Sequence, residues 1–256
     1  MKIQLITVAT HNEGSFNELI NNKYNINVKV LGMGEKWKNF KMKYELVYNY
    51  INTLHDDNII IFLDGFDSYI HSDLTEAYKR FKYLKSKVLF SKDIDQSHIG
   101  LNKNVFPKCK NNLILNTGLY MGYVKYLKII FKKLLLEKCN DDQVITNKLC
   151  HHFKFIDIDN DEFIFKNIDN SKNIDDEIKK SNALFYQVNG TLSYKRIYRS
   201  IFEYSQFFLK YVLFLYILTL FIIYSLKNKL KIKCFLTIIM KFFLFLYLYL
   251  MDKSCI

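Results

Sequence analysis

"NIIIFLDGFDSYIHSD", residues 58–73, is the stretch on which the reading of the whole chain turns. Four consecutive large apolar residues, Ile60 to Leu63, run into Asp64, and Asp67 follows three residues later around Gly65. A short apolar run bounded by polar residues is the pattern of a strand buried on both faces of a parallel sheet. In a continuing strand, residues three apart face opposite ways. Asp64 and Asp67 therefore converge only if the chain bends between them, which Gly65 permits. Open α/β sheets place their ligand crevice outside the carboxyl ends of the strands, and two hard carboxylates there suit Mg2+ or Mn2+ shared with a diphosphate. The same letters also suit a polar turn leading into a helix capped by Asp73, with Glu76 at the capping-box position.

Outward from this strand, the pattern predicts strands at 3–9 and 27–31, a helix at 42–54, a helix at 73–85 with Leu74, Ala77, Phe81 and Leu84 on one face, and a strand at 88–91. "LILNTGLYMGYV" at 113–124 mixes apolar residues with two glycines, and residues 126–137 read as helix. Strands at 153–158 and 162–165 complete the set. Residues 166–182, acidic and rich in asparagine, read as a surface excursion. Strands alternating with helices imply an α/β domain with a doubly wound, mostly parallel sheet over residues 1–199.

Composition cuts the chain near Ser200. From there to residue 256 the only acids are Glu203 and Asp252, and Phe, Leu, Ile and Tyr dominate. Residues 206–226 carry one charge, Lys210, close enough to an end for its stem to reach the interface, and predict a membrane-spanning helix. A second apolar stretch, 234–251, holds Lys241 well inside it, at a cost of roughly 2.5–3.5 kcal/mol for insertion. Residues 200–256 are thus expected to be a membrane-anchoring tail of one or two helices. The lysines of "KNKLKIK" at 227–233 and the basic group Lys195, Arg196 and Arg199 pull the topology in opposite directions and leave it open.

The net charge is +12, but the lysines are scattered among asparagines and gather into no basic, aromatic face, which argues against a nucleic-acid partner. The five cysteines form no CxxC pair and no zinc spacing, and read as a sparse set of reduced thiols. "MKIQLITVAT" turns polar at "HNEG", too early for the core of a signal peptide, and is expected to be the first strand. The expected localisation is a membrane surface, in a compartment the sequence leaves open.

"LITVAT" at 5–10, "LGMGEKW" at 31–37, "FLDGFD" at 62–67, "LNTGLYMGY" at 115–123, "DDQ" at 141–143 and "NG" at 189–190 occur in an order that carries a resemblance. Over about residues 3–195 the chain resembles the glycosyltransferase domain of the procollagen lysyl hydroxylases and, more distantly, the collagen galactosyltransferases. The resemblance implies a glycosyltransferase-A-like fold and a metal-dependent transfer of a hexose from a UDP-sugar to an acceptor hydroxyl, for instance that of hydroxylysine or its glycan in a collagen-like protein. It also implies roles for single residues. Asp64 and Asp67 would hold Mn2+ or Mg2+ and the diphosphate. Val8, Thr10, Trp37 and Phe66 would hold the uridine, Lys43 would lie near the phosphates, and Asn116 and Gly118 would line the sugar pocket. Asn189 and Gly190 complete the donor side, and Asp141 and Asp142 would orient or deprotonate the acceptor hydroxyl.

Each residue also has a plainer use: Trp37 as a packing anchor, Lys43 on a solvated helix face, Asp141 as a helix cap. Two departures stand out. The family carries histidine, a third metal ligand, two residues before the NG pair, whereas "YQVNG" has Gln187 there. Its amide oxygen still suits a hard cation but binds Mn2+ less well than imidazole. The iron domain of the lysyl hydroxylases is missing from the sequence, and "HDD" at 55–57 reads as a turn. Gln187 also motivates an alternative, a degenerate membrane protein that binds a nucleotide-sugar or a partner without turnover.

Overall fold

A computed structural model of the chain describes residues 2–94, 107–169 and 172–189. The strands are β1 (Ile3–Val8), β2 (Val28–Leu31), β3 (Ile59–Leu63), β4 (Ser68–Ile70), β5 (Val88–Lys92), β6 (Leu115–Tyr123), β7 (Ile156–Asp159), β8 (Phe165–Asp169) and β9 (Phe185–Asn189). The helices are α1 (Phe16–Ile20), α2 (Lys41–Ile51), α3 (Leu74–Leu84), α4 (Val124–Leu134), α5 (Asp142–Leu149) and α6 (Ile174–Lys179).

Six strands form the central sheet in the order β2-β1-β3-β6-β5-β7. β3 sits inside it, as its unbroken apolar run requires, with every residue buried. Ile60 and Phe62 join a core with Tyr44, Val47 and Ile51 of α2, Leu127 and Phe131 of α4 and Ile145 of α5. Ile59, Ile61 and Leu63 turn to the opposite core with Leu19 of α1, Ala77 and Phe81 of α3 and Phe165 and Phe185. Helices on both faces explain why no alternation of polar and apolar residues marks this strand. Each fully buried Ile, Leu or Phe side chain contributes about 1.5–3 kcal/mol of apolar transfer.

The sheet is mixed rather than simply parallel. β1 pairs in parallel with β2 and β3, and β5 with β7, but β6 runs antiparallel to both β3 and β5. The reversed strand carries the motif-rich segment 115–123 in the middle of the sheet. Its register against β5 breaks between Phe90 and Ser91, where Phe90 opposes Tyr120 and Ser91 opposes Asn116. Thr117, Gly118 and Leu119 therefore bulge from that ladder, as strands often do beside a site.

The expected surface excursion at 166–182 is corrected. Asn167 and Ile168 are buried there, β8 runs to Asp169 instead of ending at 165, and α6 follows with Asn173 as its cap. β8 joins a second sheet, β4-β9-β8. The polar letters of this stretch hid a strand whose apolar positions face inward. Helix α3 begins at the expected cap, where Asp73 accepts a hydrogen bond from the Glu76 amide at 2.8 Å. The Glu76 side chain pairs with Arg80 at 2.9 Å instead of closing the box.

The expectation of reduced thiols is also corrected: Cys109 and Cys150 form a disulfide with their Cα atoms 5.8 Å apart. No short motif could announce it, because the packing of α5 against the start of β6 brings the two together. Among the described residues no helix is long and apolar enough to cross a membrane. The expected tail, 200–256, lies outside them.

Candidate active site

Asp64 follows directly on β3, and a turn of three residues, Gly65 to Asp67, leads into β4. The turn works differently from the sequence expectation. Gly65 is required by space, since a Cβ there would stand 2.7 Å from the Val8 carbonyl oxygen and 3.1 Å from the Ala9 Cβ. The Asp pair is thereby packed against the end of β1. Gly14, at φ +58°, closes the other side, with the Phe66 carbonyl oxygen 2.0 Å from where its Cβ would be. The Asp64 amide donates to the Gly118 carbonyl at 2.8 Å, which ties the turn to the bulge of β6.

β9 brings the distant partner. Ser68 of β4 opposes Gln187, and the Val188 amide donates to the Asp67 carbonyl at 2.8 Å. Gln187 Nε2 then donates to Asp64 Oδ2 at 3.2 Å and to Asp67 Oδ1 at 3.1 Å. The amide lies directly over Gly118, where a Cβ would stand 2.2 Å from Oε1. Gln187 Oε1 is buried and has no hydrogen-bond partner.

On the other side, Lys43 rises from α2 with only 7 % exposure. Its Nζ lies 2.7 Å from Asp142 Oδ2 and 3.2 Å from Asp64 Oδ1. Burial on its own would lower the Lys43 pKa. The attraction of Asp142 and Asp64 outweighs it, and the ammonium is held above the ordinary lysine value. Burial lifts the Asp142 carboxyl above the usual carboxylate range, and Lys43 opposes that lift. Thr117 Oγ1 donates to Asp142 Oδ2 at 2.9 Å, so the β6 bulge also orients this acid. Asp141 is the N-cap of α5, accepting from the Val144 amide at 2.9 Å.

The structure thus gathers Lys43, Asp64, Asp67, Gly118, Asp142 and Gln187 around one end of the sheet. Asn116 is adjacent: its Oδ1 accepts from the Gly118 amide at 2.7 Å and its Nδ2 donates to Asp93 at 3.4 Å. Val8 and Thr10 are buried at the end of β1. Trp37 and Phe66 pack with separate partners, Trp37 edge-on to Phe40 at 5.7 Å and Phe66 against His11 at 5.1 Å. Asn189 closes β9 opposite Asp169, and Gly190 lies outside the described residues. Two contributors escaped the sequence reading. Thr117 lay inside a quoted motif without being singled out. Asp93, buried just beyond the end of β5, accepts from Gln143 at 2.9 Å, and Ser91 and Lys92 separate it from the apolar run that would have marked it.

The family model described as "PLOD GT domain" matches residues 1–195. The chain belongs to that family. It is accordingly a glycosyltransferase, with the mixed α/β sheet described above. It is 26 % identical over 190 residues to the "Multifunctional procollagen lysine hydroxylase and glycosyltransferase" of Caenorhabditis elegans, covering 65 % of this chain and 26 % of that protein. It is 30 % identical over 165 residues to the "Procollagen-lysine,2-oxoglutarate 5-dioxygenase" of Drosophila melanogaster, covering 58 % of this chain and 22 % of that one. The chain therefore spans about a quarter of the length of these relatives. Among solved structures it is similar to a glycosyltransferase involved in the glycosylation of the major capsid of PBCV-1, at 12 % identity and a TM-score of 0.47, over 77 % of this chain and 97 % of that one. Gln187, where the resemblance implied a histidine, lies at the centre of this cluster. Among the described residues no three His, Cys, Asp or Glu side chains gather as a metal cluster; here an amide completes the two carboxylates.

Proposed function

We propose that this domain moves a hexose from a UDP-sugar to an acceptor hydroxyl with the help of Mn2+ or Mg2+. The observation that carries the reading is the convergence of Asp64, Asp67, Lys43 and Asp142 at one sheet end. Asp64, Asp67 and Gln187 fit a hard cation: two carboxylates converge on one side chain whose buried carbonyl oxygen still has no partner. Bound there, the cation would supply positive charge to the leaving diphosphate.

This chain's own residues do the rest. Lys43, fixed as an ammonium between two carboxylates, adds positive charge beside the diphosphate. Asp142, with its carboxyl raised by burial, accepts the proton of the acceptor hydroxyl as that oxygen bonds the anomeric carbon. The bond from the anomeric carbon to the phosphate oxygen breaks, and UDP departs with the electron pair. Thr117 aims Asp142 and Asp141 fixes the helix behind it. Val8, Thr10, Trp37 and Phe66 receive the uridine, Asn116 and Gly118 the hexose, and Asn189 and Gly190 the rest of the donor. The acceptor we propose is a hydroxylysine or its glycan in a collagen-like protein.

The full chain should release UDP from a UDP-hexose in the presence of Mn2+, and Asp64→Asn and Asp67→Asn should each lose Mn2+-dependent UDP binding while staying folded. Unchanged affinity by calorimetry in both variants would overturn the reading.

A further inference from the structure

We propose that Gln187 is the enzyme's internal stand-in for the cation, an inference that rests on the metal reading above. Two carboxylates brought together by a tight turn need positive charge or hydrogen-bond donors between them. The two N–H groups of one amide serve both, Nε2 lying 3.2 Å from Asp64 Oδ2 and 3.1 Å from Asp67 Oδ1. The opposite end of the amide explains the rest. Oε1 is buried without a partner, pressed over Gly118, where any side chain would collide with it. An amide carries a donor end and an acceptor end that exchange on a half-turn about its last bond. With the donor end inward it bridges the two acids without a cation between them, while Lys43 meets Asp64 from the other side. With the acceptor end inward it would be a neutral oxygen ligand, favourable only when a cation lies between the carboxylates. The cation must therefore displace a donor already in place, and the acid pair can fold without metal.

The test is thermal unfolding of the full chain in detergent, in EDTA and in MnCl2. Gln187→Glu replaces the donor end with a third carboxylate, and its midpoint in EDTA should fall by roughly 5–10 °C, the scale of a loss of a few kcal/mol in a domain of this size. Mn2+ should raise this variant more than it raises the wild type. Asp67→Asn alone and the pair Asp67→Asn with Gln187→Glu complete the cycle: the pair restores one donor facing one acceptor and should recover at least half the loss in EDTA. A Gln187→Glu midpoint equal to the wild type, or a double variant no better than Gln187→Glu, would overturn the inference. If Gln187→Glu yields no folded protein, a folded double variant supports the inference and an unfolded one overturns it. Calorimetry of Mn2+ with UDP on the wild type separates the two ideas. No binding there overturns the metal reading and the stand-in role with it, whereas the rescue in EDTA is read without metal.

Discussion

An ammonium with almost no exposure is costly unless carboxylates meet it, and Lys43 meets two. Its pKa is raised in the folded chain, so its contribution to stability is complete below the unfolded lysine value, about 10.4, and is lost as pH climbs toward the folded value. Lys43→Met should cost about 3–5 kcal/mol at neutral pH by stranding Asp142 and Asp64. It should also flatten the fall in stability above pH ~10.4 that the wild type shows. Urea unfolding of both proteins between pH 7 and 11 checks the two effects; parallel curves across that range would refute them. At this scale the sequence was readable where chemistry follows directly from a pattern. Asp64 and Asp67 stand at the end of a fully apolar strand. Lys43 was indistinguishable from the other lysines until the resemblance singled it out, because its burial depends on α2 packing beside α5. Gln187 lies 120 residues from Asp67, and only the pairing of β9 with β4 makes them neighbours.

Among the elements, α5 shows how the site is held from behind. Its first turn carries Asp142, Asn147 exchanges hydrogen bonds with both the amide and the carbonyl of Leu115 at 2.9 Å, and Cys150 just past its end is tied to Cys109. The bridge closes a sequence separation of 41 residues, which corresponds to about 4 kcal/mol of chain entropy removed from the unfolded state. Cys109→Ser with Cys150→Ser should lower stability by roughly that amount, and a reductant should lower the wild type alike while leaving the double variant unmoved. A midpoint insensitive to both treatments would show that the clamp adds nothing. Element types were well signalled where apolar runs were long, as in β1, β3 and α3. They were missed where polar letters covered a buried stripe, as in β8, or where a strand is short and fixed only by its partners, as in β4. The reversal of β6 had no local signature, since a central strand reads the same in either direction.

For the whole molecule, we propose that residues 1–199 form the catalytic part and residues 200–256 a membrane anchor. The full chain should stay with membranes after alkaline carbonate extraction, and a chain ending at Arg199 should be released. Full release of both would refute the anchor. The disulfide between Cys109 and Cys150 was not legible in the sequence, because only the folded chain brings residues 41 apart together. The reversed strand has one more effect. Because β6 runs against its neighbours, it starts at the edge where β5 ends, and the Asp93 amide is bonded to the Ile114 carbonyl at 2.9 Å. The two ends of the intervening connection thus already meet beside Asn116. Doubling such a closed loop costs only about 0.6 kcal/mol. Lengthening this connection ahead of Cys109 would therefore cost the fold little and leave the sheet and its acids as they are, whereas a change that removes Cys109 would forfeit the clamp on α5.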